Sequence, residues 1–165
     1  KPFLRNNDSL NTNVEFTEAV LRYCLENKNP DAKISIAEGS DGNDTEDVYE
    51  KFGYRNLSET YGIGLVDLNT SEVEEVLDGE FLKFEKIFYP KVLLDGFVIS
   101  LPKLSEDKEL EITGSLSNMI GAFPASYYQG FFSKNKNKLR KWQMKFNIHD
   151  ILKCKMPHRK WFLII

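Results

Sequence analysis

Four side chains stand where a chain of this composition would do chemistry: Glu38, Ser40, Lys103 and Asn118. Glu38 and Ser40 follow the alternating run Lys33-Ile34-Ser35-Ile36-Ala37, and Asp41 comes directly after them. Two carboxylates and a hydroxyl offer oxygen ligands to a hard cation such as Mg²⁺. The same residue types also make an ordinary polar loop that caps the next helix. Lys103 follows the apolar run Phe97-Val98-Ile99-Ser100-Leu101 and Pro102. Its ammonium can hold a carboxylate or phosphate, or stabilise a developing oxyanion; alternatively it pairs with Glu106 and Asp107. Asn118 lies in a small-residue segment with Gly114, Gly121 and Pro124. A carboxamide there can bond a ligand or its own backbone.

Other chemistries are poorly supplied. His149 and His158 are the only histidines. Neighbouring helix residues do not face each other, so His149-Asp150 is not expected to act as a base and its orienter. No Ser or Cys sits in a nucleophile elbow. Two histidines are too few for a catalytic zinc, and Cys24 and Cys154 too few for an iron–sulfur cluster or a Cys-rich zinc site. These two thiols read as reduced residues of a cytoplasmic protein, with a single disulfide as the alternative.

Charge is uneven. From Lys134 to Lys160 there are ten Lys or Arg and one acid, Asp150, which leaves 12 basic and 24 acidic residues before it, or −12 against a whole-chain −3. The segment 134–145, KNKNKLRKWQMK, interleaves cations with Trp142, a pattern that attracts phosphates and offers a ring for base stacking. The acidic remainder opposes nucleic-acid binding. No apolar run reaches the ~18 residues needed to span a membrane.

The elements that must position these groups alternate. Thr12-Asn13-Val14-Glu15 reads as a capping box for a helix to about Glu26. Strands are expected at the end of Lys1–Leu4, at 33–37, at 65–68, at 97–101 and at 161–165. Short helices are expected from Asp44 or Thr45 to Phe52, up to Tyr61, from Ser115 to Ile120 and from Ile148 to Lys155. Ser71 to Leu77 fits a helical turn and a half, but Asp78-Gly79 followed by the alternating Leu82, Phe84, Lys86 and Phe88 favours a hairpin from about Val73 to Phe88. Strands alternating with helices predict an α/β fold with a mostly parallel central sheet covered on both faces. A length of 165 residues fits one domain, 1–165.

Leu101-Pro102-Lys103-Leu104, followed by Thr113-Gly114 through Asn118, Gly121 and Pro124, resembles the domain of unknown function 362 family. That pattern is roughly L-P-K-L-K-T-H, then T-G-x-x-K-N-x-x-G-x-x-P. Lys1-Pro2, Glu38-Gly39, Gly53-Tyr54 and Leu65-Val66-Asp67-Leu68 match in order, so the resemblance covers nearly the whole chain. It implies an α/β domain of archaeal or bacterial type, in a family where some members carry iron–sulfur domains, and a chain that is part of a longer one. It implies no established activity and names no cofactor. The chain departs from the pattern at Ser105-Glu106-Asp107, where relatives often have Lys-Thr-His, and at Ser117, where they often have Lys.

Together these readings predict a cytoplasmic α/β domain with a small-anion or metal-associated ligand site past its strand ends, lined by Glu38, Ser40, Lys103 and Asn118. The alternatives are a non-catalytic binding or scaffold domain that has lost the family's Lys and His positions, and phosphate binding through 134–145.

Overall fold

In a computed structural model, residues 11–40, 44–82, 84–107, 111–132, 149–150, 153–154 and 161–164 are described. The elements run α1 (Val14–Asn27), β1 (Ser35–Glu38), α2 (Thr45–Lys51), α3 (Tyr54–Tyr61), β2 (Gly64–Asp67), β3 (Val73–Val76), β4 (Ile87–Pro90), α4 (Lys91–Asp95) and β5 (Val98–Ser100). Then come β6 (Ser105–Asp107), β7 (Glu111–Thr113), α5 (Ser115–Asn118), a 3-10 turn (Met119–Ala122), α6 (Ala125–Phe132) and β8 (Trp161–Ile164). The chain is a mixed α/β protein.

Helix starts follow from short polar side chains. Asn13, not Thr12, caps α1: its Oδ1 accepts from the amides of Glu15 and Phe16 at 2.8 and 3.2 Å. The expected capping box does not form: the cap moves by one residue, which puts Phe16 rather than Glu15 at the third helical position, and the Thr12 hydroxyl donates to the Leu101 carbonyl at 2.6 Å instead. Asp44 caps α2 through the Glu46 amide, at 2.8 Å. Gly53 and Gly62 bracket α3 at φ 78° and 62°, left-handed conformations that a side chain disfavours.

The described strands form four pairs. β1–β2 and β5–β8 are parallel; β3–β4 and β6–β7 are antiparallel. They do not by themselves make up the mostly parallel central sheet expected from the sequence, because β1 and β5 border a cavity rather than each other. β6–β7 was not expected: Ser105 to Glu111 reads as a solvated charged patch, and short charged strands leave little apolar alternation to detect.

The expected hairpin is present, with Val73 opposite Pro90 and Val76 opposite Ile87. A turn does form at Asp78-Gly79, where the Asp78 carbonyl accepts from the Phe81 amide at 3.1 Å and its carboxylate from the Glu80 amide at 2.8 Å, but it does not close the two strands directly. The loop from 77 to 86 is long, and the carboxylate of fully buried Asp150 accepts from the amides of Leu82 and Phe84 at 2.9 and 3.1 Å. That side-chain anchor holds the part of the loop between the Asp78 turn and β4.

The core gathers around β4 and the 3-10 turn: Ile87, Tyr89, Leu93, Leu94, Met119, Ile120, Phe123, Tyr128 and Cys154. Phe123 meets Tyr89 and Tyr128 edge-on, with ring centroids 6.1 and 4.9 Å apart. The Tyr128 hydroxyl accepts from the Phe88 amide at 2.9 Å. Burial pushes its phenol up to about 12, and the Cys154 thiol likewise up to about 12. Among the described residues no helix is long and apolar enough to cross a membrane.

Candidate functional site

The carboxyl ends of β1, β2 and β5 carry the polar residues of interest, and they divide into two groups. The first group surrounds Asp67, the last residue of β2. Its Oδ1 accepts from the Thr45 hydroxyl at 2.7 Å and from the Asn69 amide at 2.9 Å; its Oδ2 accepts from the Thr70 hydroxyl at 2.9 Å. The Thr45 hydroxyl lies 3.2 Å from that of Ser40. Asn69 Nδ2 donates to the Ser40 carbonyl at 2.9 Å, while its Oδ1 accepts from the Ala125 amide at 3.2 Å. Ser40, Thr45 and Asn69 are all buried. This knot joins the ends of β1 and β2 to the starts of α2 and α6.

The second group opens on a cavity of about 830 Å³. Glu38 at the end of β1 and Asn118 at the end of α5 both line it, together with Thr12, Thr17, Tyr54 and Ser100. Asn118 Nδ2 donates to the Ser100 hydroxyl at 3.2 Å. Its Oδ1 is buried and has no hydrogen-bond partner among the described residues. Glu38 is 5% exposed. Nearby phenols answer to this carboxylate. Tyr49 is raised by burial first and then by the negative charges of Glu38 and Asp67, while its hydroxyl donates to the Val66 carbonyl at 2.7 Å. Tyr54 is raised chiefly by burial, and its hydroxyl donates to the Thr12 carbonyl at 3.1 Å. Both phenols therefore stay protonated and act as donors.

The structure thus brings Glu38 and Asn118 to one cavity. Ser40 sits beside them in sequence but in the knot, where its hydroxyl and carbonyl serve Thr45 and Asn69. Lys103 is exposed and does not line the cavity. Sequence reasoning missed Thr45, Asp67, Asn69 and Ser100. The rule that found Glu38, polar residues just past a strand, also fits Asp67 and Asn69 after Leu65-Val66. Gly121 lines the cavity, and a Cβ there would meet nothing within 4 Å, so it is not a point of close backbone approach.

His149 and Asp150 do meet, Nδ1 to Oδ1 at 2.9 Å, against the expectation for helix neighbours. The Asp150 carboxylate also holds the 77–86 loop, which makes this pair part of a structural anchor. Among the described residues no three His, Cys, Asp or Glu group so as to hold a metal ion, and both cysteines are free thiols. The basic segment 134–145, His158, Asp41 and the strand expected over Lys1–Leu4 lie outside the described residues.

A family model, Domain of unknown function (DUF362), matches residues 3–160. No curated protein and no solved structure matches the chain.

Proposed function

This chain belongs to the DUF362 family, and we propose that it is a ligand-binding domain whose site lies between the carboxyl ends of β1 and β5. The observation that carries this reading is the pairing of Glu38 with Asn118 on one cavity, with a buried Asn118 Oδ1 that has no partner among the described residues. Buried acceptors without donors cost about 1–3 kcal/mol, so a ligand that supplies an N–H or O–H recovers that energy. A cavity of about 830 Å³ suits a small molecule. Asn27, Lys28, Asn29 and Lys33, which precede β1 in the chain, line the cavity as well; around Glu38 and Asn118 the groups are one carboxylate, one carboxamide oxygen and several hydroxyls. They favour a neutral or cationic ligand rich in donors over the small anion that Lys103 would serve. A metal would reach the site only in company with such a ligand. A single domain over 1–165 in the cytoplasm fits this reading, and two free thiols support it.

Native mass spectrometry of protein purified without chelators tests it. The expected result is a bound small molecule that is lost in Glu38→Gln and in Asn118→Leu. A clean mass, or an adduct that both variants keep, overturns the reading.

A second reading, a non-catalytic protein-binding domain, draws on Leu104 and Ile112, which are 71% and 64% exposed beside the β6–β7 pair. Its test is the same spectrum: partner-bound species lost in Leu104→Glu, with no small-molecule adduct.

A further inference from the structure

The cavity that holds Glu38 and Asn118 meets β1 edge-on. Successive side chains of a strand point to opposite faces, yet every residue from Ile34 to Gly39 lines the cavity. Consecutive residues do so where the space runs along their backbone. Hydrogen bonds identify the edge. The Gly64 amide donates to the Ile34 carbonyl, and the Leu68 amide to the Glu38 carbonyl at 2.8 Å. Residues 34, 36 and 38 thus give their backbone groups to β2, and the parallel pattern turns those of Ser35 and Ala37 the other way, into the cavity. No described strand pairs with that edge. Each of the two residues presents an N–H and a C=O there, with about 6.6 Å between one pair and the next.

Charge is divided between the ends of this edge. Lys28 and Lys33 lie where the chain passes from α1 to β1, and Glu38 closes β1 at its far end. These three are the only charged side chains among the described lining residues. Glu38 shares its end with the Asn118 oxygen, an acceptor with no partner among the described residues. The Lys28 ammonium donates to the Asn29 and Pro30 carbonyls at 3.3 and 3.0 Å, which leaves it one N–H. Neither lysine makes a salt bridge among the described residues. An extended chain covers about 16 Å in the five steps from Lys33 to Glu38. Large apolar side chains line the same stretch: Leu21, Leu93 and Met119 are buried, while Tyr23, Phe97 and Ile99 are exposed.

We propose that the ligand of this cavity is a short extended peptide, about five residues long with both ends free, which adds to β1 as an antiparallel strand. The inference rests on the ligand-binding reading above and names the class of ligand. The peptide's ammonium lies at Glu38 and Asn118, where its three N–H groups meet acceptors already in place. Its carboxylate lies at Lys28 and Lys33. Those two poles fix its direction, because β1 runs from the lysines toward Glu38. Its backbone exchanges hydrogen bonds with Ser35 and Ala37, which a ligand without amides at that spacing does not. Apolar peptide side chains are selected, because they cover Tyr23, Phe97 and Ile99.

Affinity selection from a mixture of pentapeptides with free ends, randomised over Ala, Val, Leu, Phe and Ser, tests the proposal on the full chain. Native mass spectrometry reads the bound peptides. The most enriched one is then made with its amine acetylated or its carboxylate amidated. Each block is expected to weaken binding at least about tenfold, the loss of one charge-assisted contact. Acetylation should cost nothing further in Glu38→Gln, nor amidation in the double variant Lys28→Ala, Lys33→Ala. If a variant fails to fold, the blocked peptides on the unaltered protein decide alone. No enriched peptide, or one that tolerates either block, overturns the proposal. So does a crossed result, in which the lysine variant cancels the effect of acetylation, since the peptide then runs parallel to β1. A non-peptide adduct that Glu38→Gln and Asn118→Leu abolish overturns the peptide and leaves the ligand site standing. No adduct and no enriched peptide overturn both.

Discussion

The ends of β2 and β5 carry similar polar residues and use them differently. After β2, each polar atom of the Asp67 and Asn69 side chains has a partner within the fold: three donors converge on the Asp67 carboxylate, and the Asn69 amide spans from Ser40 to Ala125. After β5, Asn118 makes one bond, to Ser100, and leaves a buried oxygen with no partner among the described residues. A network that closes on itself holds elements together. One that stays open by a single acceptor keeps capacity for something else. Residue type did not separate the two, since both groups combine carboxylates, hydroxyls and a carboxamide.

Substitutions break this contrast in order of size. Asp67→Ala should cost the most, about 3 kcal/mol, because it leaves the Thr45 hydroxyl and the Asn69 amide without their acceptor; urea denaturation measures it. Asn118→Leu should change stability by less than about 1 kcal/mol in the same assay, since it removes one hydrogen bond and the unfilled acceptor together. If Asn118→Leu costs as much as Asp67→Ala, the two sites do the same work and the contrast fails. Lys103→Ala should fall within about 0.5 kcal/mol of the parent, as an exposed side chain outside both groups.

The core sharpens the comparison from the alkaline side. Tyr128 is held protonated by burial, up to about 12 from an ordinary 10.0. A raised phenol pKa means that the folded state keeps its proton where the unfolded state has lost it. Its contribution is complete below pH 10 and is lost as pH rises through 10 to 12. Stability measured against pH should fall across that window, and Tyr128→Phe should make the fall shallower. Cys154 adds to the same decline, beginning near pH 9. Thiol labelling offers the simplest check on the core: Cys24, which is partly exposed, should react at once, and Cys154 only as the protein unfolds.

Much of the fold was legible because its signals are local. Alternation marked β1, and Asp44 marked the start of α2. The sequence misled where a distant residue intervened. Thr12 looked like a cap but is occupied by Leu101, 89 residues away. Asp78-Gly79 does turn, but β3 and β4 pair well beyond it, and Asp150 holds the loop between them from 68 and 66 residues away. The site shows the same limit. Position after a strand was enough to single out Glu38, Ser40 and Asn118. It could not tell that Ser40 faces the knot, or that Lys103 stands apart, because those outcomes depend on how α2 and α5 pack against the strand ends.

The Asp67 knot also bears on chemistry done to the protein by others. Asn69-Thr70-Ser71 is one of four Asn-x-Ser/Thr triplets, with those at Asn7, Asn43 and Asn56. The nitrogen that would receive a sugar, Asn69 Nδ2, is buried and bonded to the Ser40 carbonyl. Asn56, by contrast, is exposed on α3. In an expression host that glycosylates secreted chains, a glycan at Asn69 would have to be attached before β1 and β2 close around it, and would then bar the knot from forming. Folded protein from such a host should carry sugar at Asn56 and none at Asn69, making the pair of sites a record of whether folding or the transferase came first.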